Sequence, residues 1–452
     1  MHSGLSAGEK FDEWKKILNG DVGVAIGARS AVFAPFKNLG IIIVDEEHET
    51  TYKAENTPSY DARRIAEFRC GNEGAMLVLA SATPSLNSYY KAKCGEYNLF
   101  EMKNRHNFMT MPKIETVDMR DELKNGNHSV FSKRLKEEID FNIKHGQQTI
   151  LFLNRRGFNS FVMCRTCGEA IMCRNCSVSM TYHKNSNMLK CHYCGFEQPV
   201  PTVCPECGSV HIRYMGTGTE KIEEEISAVY GDKSFIRMDA DTTSGKNSHE
   251  AILRRFETER IPILLGTQMV TKGLDFPNVT LVGVLAADMS LNVDDFRAAE
   301  RTFSQITQVC GRAGRGEISG RAIVQTYQPE HYAVSLAAGH DYEKFYENEI
   351  RIRKQLSNPP FNDIIMIMMQ GKNEASIIRE LGRIAGRLRA RKLNILGPVP
   401  APYTRIKNMY RWRIIIKHKN ADELLELLRV ISDYYAGGSN KLYIDINPNS
   451  MN

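Results

Sequence analysis

The sequence predicts a multidomain α/β protein, interrupted by a cysteine-rich metal-binding insertion and closed by a small basic α+β domain. Three observations carry this. Short continuous apolar runs such as Ile41-Ile42-Ile43-Val44 stop abruptly at polar residues, as strands of a parallel sheet buried on both faces do. Eight of the 11 cysteines fall within residues 164–207, all in C-x-x-C pairs. The chain has 452 residues, 42% hydrophobic and 25% charged, an ordinary globular composition with room for about two to four domains.

The composition also excludes classes. No apolar run of about 18 residues occurs, so no membrane-spanning helix and no membrane partner is expected. Met1 to Ser6 shows no basic segment leading into an apolar one, so no signal peptide is read and a cytoplasmic location is expected. A net charge of +6 permits a polyanionic partner without requiring one. Its distribution is more informative: Ser376–Asn452 holds 14 Lys or Arg against 6 Asp or Glu, a surplus of +8.

In chain order, Gly40–Val44 and Met76–Ala80 read as strands, ending on Asp45-Glu46-Glu47-His48 and Ser81-Ala82-Thr83. A second block opens with a helix over Ser132–His145 and the strand Thr149–Leu153. It resumes with a helix over Glu220–Tyr230, strands Ile263–Leu265 and Val279–Ala286, and a helix over Phe296–Val309. Between Leu153 and Glu220 lies the cysteine-rich insertion. Beyond Tyr342 come a helix, the Pro359-Pro360 break, the run Ile364–Met369 and a helix over Ala375–Leu393. The Gly397–Pro402 stretch reads as a linker, followed by the strand Arg411–Lys417. The expected domains are 1–115, 116–340 with the insertion at 160–212, and 341–452.

The pairs Cys164/Cys167, Cys173/Cys176, Cys191/Cys194 and Cys204/Cys207 present thiolates two by two, and two pairs complete the tetrahedral S4 shell of structural zinc. Eight thiolates make two Zn²⁺ sites. Gly168, Gly195 and Gly208 directly follow a second cysteine, where the chain must turn back. Sequential pairing competes with nesting of the first pair with the fourth and the second with the third. The short gap between Cys167 and Cys173 favours nesting. Cys70, Cys94 and Cys310 read as core residues, and His183 and His192 as ligands only if a cysteine were missing.

A carboxylate pair after a buried strand is where a nucleotide hydrolase places its acids. Asp45 would hold Mg²⁺ against the phosphates and Glu46 would activate the water. Arg312 and Arg315, three apart and so on one face of a helical turn, offer planar guanidiniums for charge developing on a transferred phosphoryl group. In the C-terminal domain, Tyr403, Tyr410 and Trp412 alternate with Arg405, Lys407, Arg411 and Arg413, a pattern suited to flexible single strands.

The order D-E-x-H (45–48), S-A-T (81–83), G-T-x-M-x-x-K-G (266–273) and Q-x-x-G-R-x-G-R (308–315) resembles superfamily 2 helicases. With four C-x-x-C pairs inside the second lobe, the chain is similar to the PriA family of bacterial replication-restart helicases. So are Ile26–Ala31, Gly216–Glu220, Asp295–Arg301 and Gln325–Pro329. The resemblance implies two RecA-like lobes, the first of them partial here, with ATP and Mg²⁺ between them. It implies 3′ to 5′ unwinding of DNA and recognition of stalled forks. The implied partners are forked and single-stranded DNA, primosome proteins, single-stranded DNA-binding protein and the machinery that loads the replicative helicase. Asp45 and Glu46 then serve magnesium and water, Gly273 contributes to nucleotide binding, and Gln308, Arg312 and Arg315 sense the nucleotide. Ser81 and Thr83 couple the lobes, and the loop from Tyr52-Lys53 to Tyr60 senses single-stranded DNA. Ser59 and Leu274 depart from the family pattern.

The family's phosphate loop, G-x-x-x-x-G-K-[ST], does not occur. Gly-Lys is found only at Gly245-Lys246 and Gly371-Lys372, each followed by Asn, with Ala240 and Met366 where the first glycine belongs. The chain therefore reads as an amino-terminally shortened helicase. The alternative is a nonenzymatic zinc-stabilised DNA-binding or primosome-scaffolding fragment.

Overall fold

A computed structural model of the chain describes residues 4–54, 59–102, 111–153, 161–176, 178–183, 186–215, 219–239, 242, 248–267, 270, 276–314, 316 and 318–451. They form two units, residues 1–99 with 447–449, and 100–446 with 450–452.

In the first unit, α1 (Ala7–Asn19) starts at a capping box: Ser6 Oγ accepts from the Glu9 amide and the Glu9 carboxylate accepts from the Ser6 amide. β1 (Ile41–Val44), α2 (Ala62–Glu73), β2 (Met76–Leu79) and α3 (Leu86–Lys93) follow. β1 and β2 pair in parallel, Ile41 opposite Met76. The expected burial on both faces is not found: Ile41, Ile43 and Met76 are 49%, 63% and 64% exposed. Among the described residues this sheet has two strands, and α2 covers one face through Ala62 and Ala66 against Ile42 and Leu77.

The second unit opens with β3 (Lys113–Asp118), α4 (Met119–Lys124), α5 (Lys133–Lys144) and β4 (Gln148–Leu153). The insertion follows as β5 (Phe161–Cys164), β6 (Thr181–His183), β7 (Met188–Lys190), β8 (Glu197–Pro199) and β9 (Ile212–Met215). The α/β pattern resumes with α6 (Thr219–Tyr230), β10 (Phe235–Met238), α7 (Ser248–Thr258), β11 (Ile263–Gly266), β12 (Val279–Leu285), α8 (Asp288–Leu291), α9 (Ala298–Cys310), β13 (Arg321–Thr326), α10 (Tyr332–Ala338) and α11 (Tyr342–Gln355). Six strands make one all-parallel sheet in the order β10-β11-β4-β12-β13-β3.

Strands β4, β11 and β12 are buried along their whole length and mostly apolar, because both faces are covered. Ile150, Phe152, Val282 and Val284 meet Phe303 and Ile306 of α9 on one side. Leu151, Leu153 and Leu281 meet Leu135, Ile139 and Ile226 of α5 and α6 on the other. Each such buried side chain contributes roughly 1.5–3 kcal/mol.

The C-terminal part comprises β14 (Asp363–Gly371), α12 (Glu374–Ala390), β15 (Asn394–Ile406), β16 (Met409–His418), α13 (Leu425–Tyr435) and β17 (Lys441–Ile446), with sheet order β15-β16-β14-β17, all antiparallel. The expected Gly397–Pro402 linker is instead the middle of β15. Prolines are tolerated there because β15 is an edge strand, and its pairing with β16 shifts register between Leu396 and Val399. Lys407 and Asn408, at φ 48° and 62°, make the tight turn from β15 to β16.

Candidate metal centres and nucleotide-handling residues

The acidic stretch follows β1 as expected, and its four side chains do different things. Asp45 is exposed; its Oδ1 accepts from the Glu46 amide at 2.9 Å, and its carbonyl accepts from Tyr52 Oη at 2.6 Å. Glu46 sits at φ 48°, a left-handed backbone that costs a non-glycine residue roughly 1–2 kcal/mol and is found where a site holds a side chain in place. His48 Nδ1 lies 2.7 Å from Ser81 Oγ and 3.6 Å from Glu46 Oε2. Ser81 Oγ also accepts from the Thr83 amide at 3.0 Å. The acidic loop and the Ser81-Ala82-Thr83 turn are thus joined side chain to side chain.

Sequence reasoning missed Glu47. Only 1% exposed, its carboxylate accepts from the Ser85 amide at 2.6 Å, Ser85 Oγ at 3.1 Å and Ser88 Oγ at 2.9 Å, at the start of α3. A polar tetrapeptide after a strand gives no signal separating this anchor from its exposed neighbours. Of the aromatic loop, residues 55–58 lie outside the described ones; Tyr60 packs edge-on to Phe33 with ring centroids 5.0 Å apart.

In the second unit, Gly266-Thr267, Ala286–Asp288 and Thr326–Gln328 all stand at the C-terminal edge of the parallel sheet, where α/β folds place their sites. Gln308 lies in the last turn of α9. Arg312 falls just past the helix end, in a turn that keeps helical hydrogen bonding, Arg312 N to Val309 O at 3.0 Å, until Gly314 leaves it at φ 67°. Arg315 and Gly273 lie outside the described residues. Asp288, fully buried, accepts from Thr326 Oγ1 at 2.7 Å and the Tyr327 amide at 3.0 Å; burial pushes its carboxyl up to about 6 despite these donors.

The eight cysteines form two nested groups. Cys164, Cys167, Cys204 and Cys207 make one, Cys173, Cys176, Cys191 and Cys194 the other, with all sulfurs of a group within 4.8 Å of one another. Sulfur pairs stand 3.7 Å apart (Cys164 with Cys207), 3.6 Å (Cys167 with Cys204) and 3.7 Å (Cys173 with Cys194). A tetrahedron with Zn–S of about 2.3 Å has S···S edges of about 3.8 Å, so the donor set fits zinc.

All four turns share one backbone pattern. The first cysteine's amide donates to the carbonyl five residues on: Cys164 to Glu169, Cys173 to Val178, Cys191 to Phe196, Cys204 to Ser209, at 2.8–2.9 Å. Gly168, Gly195 and Gly208, at φ 82°, 76° and 71°, close their turns onto the first cysteine's carbonyl.

Within a group the thiols titrate apart. Burial opposes ionisation of Cys164, but amides of Cys167 and Thr166 outweigh it and hold this thiol near 7. In the same group, burial pushes the Cys167 thiol well up. Four adjacent thiolates cannot coexist without a cation, and a divalent ion would remove that repulsion.

The expected core placement holds for Cys70 and Cys310, which are buried, but not for Cys94, which is exposed. His183 and His192 stand apart from both groups. Their Nε2 atoms are 2.9 Å apart, and His192 Nδ1 is 2.9 Å from Asp294 Oδ2.

The aromatic and basic pattern of the C-terminal domain divides in two. Arg405 and Lys407 are exposed at the β15–β16 hairpin tip with Tyr403, and the Arg405 guanidinium stacks 5.2 Å from the Tyr410 ring centroid. Arg413 is 1% exposed, and Trp412 packs on the helix side with Nε1 donating to Glu374. These two are structural, because strand alternation turns neighbouring residues to opposite covered faces.

Comparison with known proteins gives three matching family descriptions: the PriA DNA helicase Cys-rich region domain over residues 173–199, the helicase conserved C-terminal domain over 213–317 and the primosomal protein N C-terminal domain over 354–449. The replication restart protein PriA of Bacillus subtilis is 49% identical over 458 residues, covering 100% of this chain and 57% of that protein. That of Rickettsia felis is 38% identical over 459 residues, covering 100% and 70%. A solved structure of RecG bound to a three-way DNA junction covers 85% of this chain and 39% of its own, at 15% identity and a TM-score of 0.41. The chain spans a little over half the length of the Bacillus relative. No described helix is long and apolar enough to cross a membrane. Since identity runs over the whole chain and the three matches fall on the nested cysteine module, the parallel sheet and the C-terminal sheet, the chain belongs to the PriA family of replication restart proteins.

Proposed function

We propose that the chain is the zinc-bearing and C-terminal portion of an ATP-dependent 3′ to 5′ DNA helicase that recognises stalled forks and initiates primosome assembly, acting in the bacterial cytoplasm. The observation that carries this reading is the pair of four-cysteine groups in a module inserted after β4 of the parallel sheet, in a chain whose residues 213–317 match the helicase conserved C-terminal domain. Zinc at both would cross-link the four turns and hold the module's short strands together.

In hydrolysis, Asp45 would hold Mg²⁺, which would supply positive charge to the phosphates, and Glu46 would accept the proton of the attacking water. Gln308, Arg312 and Arg315 would sense the nucleotide, the guanidiniums meeting charge that develops on the transferred phosphoryl group, and Gly273 would contribute to nucleotide binding. The His48 to Ser81 contact supports a role for the Ser81–Thr83 turn in passing nucleotide state onward. Forked and single-stranded DNA, primosome proteins, single-stranded DNA-binding protein and the helicase-loading machinery are the partners.

One observation favours a second reading, a nonenzymatic DNA-binding or scaffolding fragment: the sequence contains no phosphate loop. Each missing charge-assisted bond to phosphate forgoes roughly 1.5–3 kcal/mol. The test is DNA-stimulated ATP turnover. The 452 residues alone should show almost none, whereas a family protein that includes the loop turns over, loses turnover on Glu46→Gln and keeps DNA binding. Robust turnover by the 452 residues that survives Glu46→Gln would overturn the assignment.

A further inference from the structure

The C-terminal sheet has two covered faces, and only one is covered by its own helices. Ile365, Ile367, Met369, Ile414 and Ile416 pack under α12 and α13. Their neighbours Ile364 and Ile415, with Met451, instead join Cys173, Cys191 and Tyr193 of the cysteine module in one apolar cluster. The module and the domain therefore share a core.

At its centre is Arg413, in the middle of β16. Its Nη2 donates to the His192 carbonyl at 2.7 Å and its Nη1 to the Met451 carbonyl, while its Nε finds no acceptor among the described residues. His192 stands between Cys191 and Cys194, so the guanidinium grips the turn that the second metal site organises. A buried guanidinium needs a countercharge. Asp294 is the carboxylate that acts on it; it is 1% exposed and lies 2.9 Å from His192 Nδ1. The same turn touches β15, since a Cβ on Gly195 would come 3.0 Å from Val399 Cγ1, and Tyr193 Oη accepts from the Phe296 amide at 3.2 Å. This turn thus meets the parallel-sheet lobe, at Phe296 and Asp294, as well as the C-terminal domain, whereas the contacts of the first metal group's turn, Arg165 to Tyr327 Oη at 3.0 Å and Arg120 to the Cys167 carbonyl at 3.3 Å, are with the lobe.

We propose that the Cys173/Cys176/Cys191/Cys194 site is the keystone of the C-terminal domain: its metal-held Cys191–Cys194 turn seats that domain through the positioning residue Arg413, so that losing this ion alone releases it. The two zinc sites then differ in duty: both fasten the module to the lobe, and the second also fastens the C-terminal domain to the module.

Amide hydrogen exchange of the zinc-loaded 452-residue protein, read together with zinc content, tests this. Cys194→Ser should lower zinc by one ion and speed exchange of β14 and β16 by about tenfold or more. Cys207→Ser should also lose one ion yet leave β14 and β16 within about twofold of the unaltered protein. Arg413→Met should speed β14 and β16 as Cys194→Ser does with zinc content unchanged, and Arg413→Lys should recover part of the protection. The inference is overturned if Cys194→Ser leaves β14 and β16 protected, if Cys207→Ser exposes them equally, or if Arg413→Met leaves them protected with zinc retained. Protein lacking zinc altogether would instead strike the metal reading under Proposed function.

Discussion

Substituting alanine at the three knuckle glycines separates backbone strain from contact. Gly208, Gly195 and Gly168 share a left-handed φ of 71° to 82°, so each alanine carries roughly the same strain, about 1–2 kcal/mol. A Cβ on Gly208 meets nothing within 4 Å, and on Gly195 it meets only the Val399 side chain. On Gly168 it would lie 2.0 Å from the Tyr327 carbonyl oxygen and 2.9 Å from its carbon. Backbone stands on both sides there, so relief requires the knuckle to move off the end of β13 by more than an ångström. That displacement breaks the hydrogen bond from Arg165 Nε to Tyr327 Oη, worth roughly 1.5–3 kcal/mol for a charged donor. The expected costs are therefore ~1–2 kcal/mol for Gly208→Ala, slightly more for Gly195→Ala and ~3–5 kcal/mol for Gly168→Ala. The urea midpoint for zinc release, followed with a zinc-binding dye, should fall in that order. Equal midpoints for Gly168→Ala and Gly208→Ala would refute the seating of the first knuckle against β13.

Further outcomes follow from other residues. Glu47→Ala strips the acceptor from three donors at the start of α3 and should destabilise the first unit by roughly 2–3 kcal/mol, seen as faster amide exchange in α3; Glu47→Gln should cost less. Asp288 carries a folded-state carboxyl raised from 3.8 to about 6, so its stabilising share is full below pH 3.8 and lost as pH rises through 6. The stability of the unaltered protein relative to Asp288→Asn should accordingly fall by up to ~3 kcal/mol between pH 4 and 7, and a flat difference would contradict the burial argument. Arg405→Ala with Lys407→Ala should weaken single-stranded DNA binding and flatten its salt dependence by about one unit of slope for each phosphate left without a cation. Affinity that does not respond to salt would rule out phosphate neutralisation at the hairpin tip.

The parallel sheet was legible because its strands are buried on both faces and so read as nearly continuous apolar stretches, Thr149–Leu153 and Val279–Ala286 among them. The nested cysteine pairing was legible from spacing, since the gap between Cys167 and Cys173 is too short to close two turns on one ion. Other features lay below what spacing and composition carry. The Gly397–Pro402 strand was hidden because proline normally ends a strand, and only its edge position makes it admissible. Glu47 and Asp45 are chemically alike and two residues apart, yet one is a buried anchor and the other exposed; the difference arises from Ser85 and Ser88, nearly forty residues on. The run Ile364–Met369 reads as part of a small α+β domain, but nothing in it says that one face of its strand is covered by the cysteine module. Arg413 looked like a phosphate-binding residue for the same reason, since its burial depends on a partner 221 residues away.

The most direct measurement is zinc per chain by elemental analysis, for the unaltered protein, Cys204→Ser, Cys194→Ser and the double variant. Two independent four-thiolate sites predict about two, one, one and no ions, because each serine removes one ligand from one closed tetrahedral shell. A ratio near one in the unaltered protein, or loss of both ions from either single variant, would contradict the nested two-site module on which the functional reading rests.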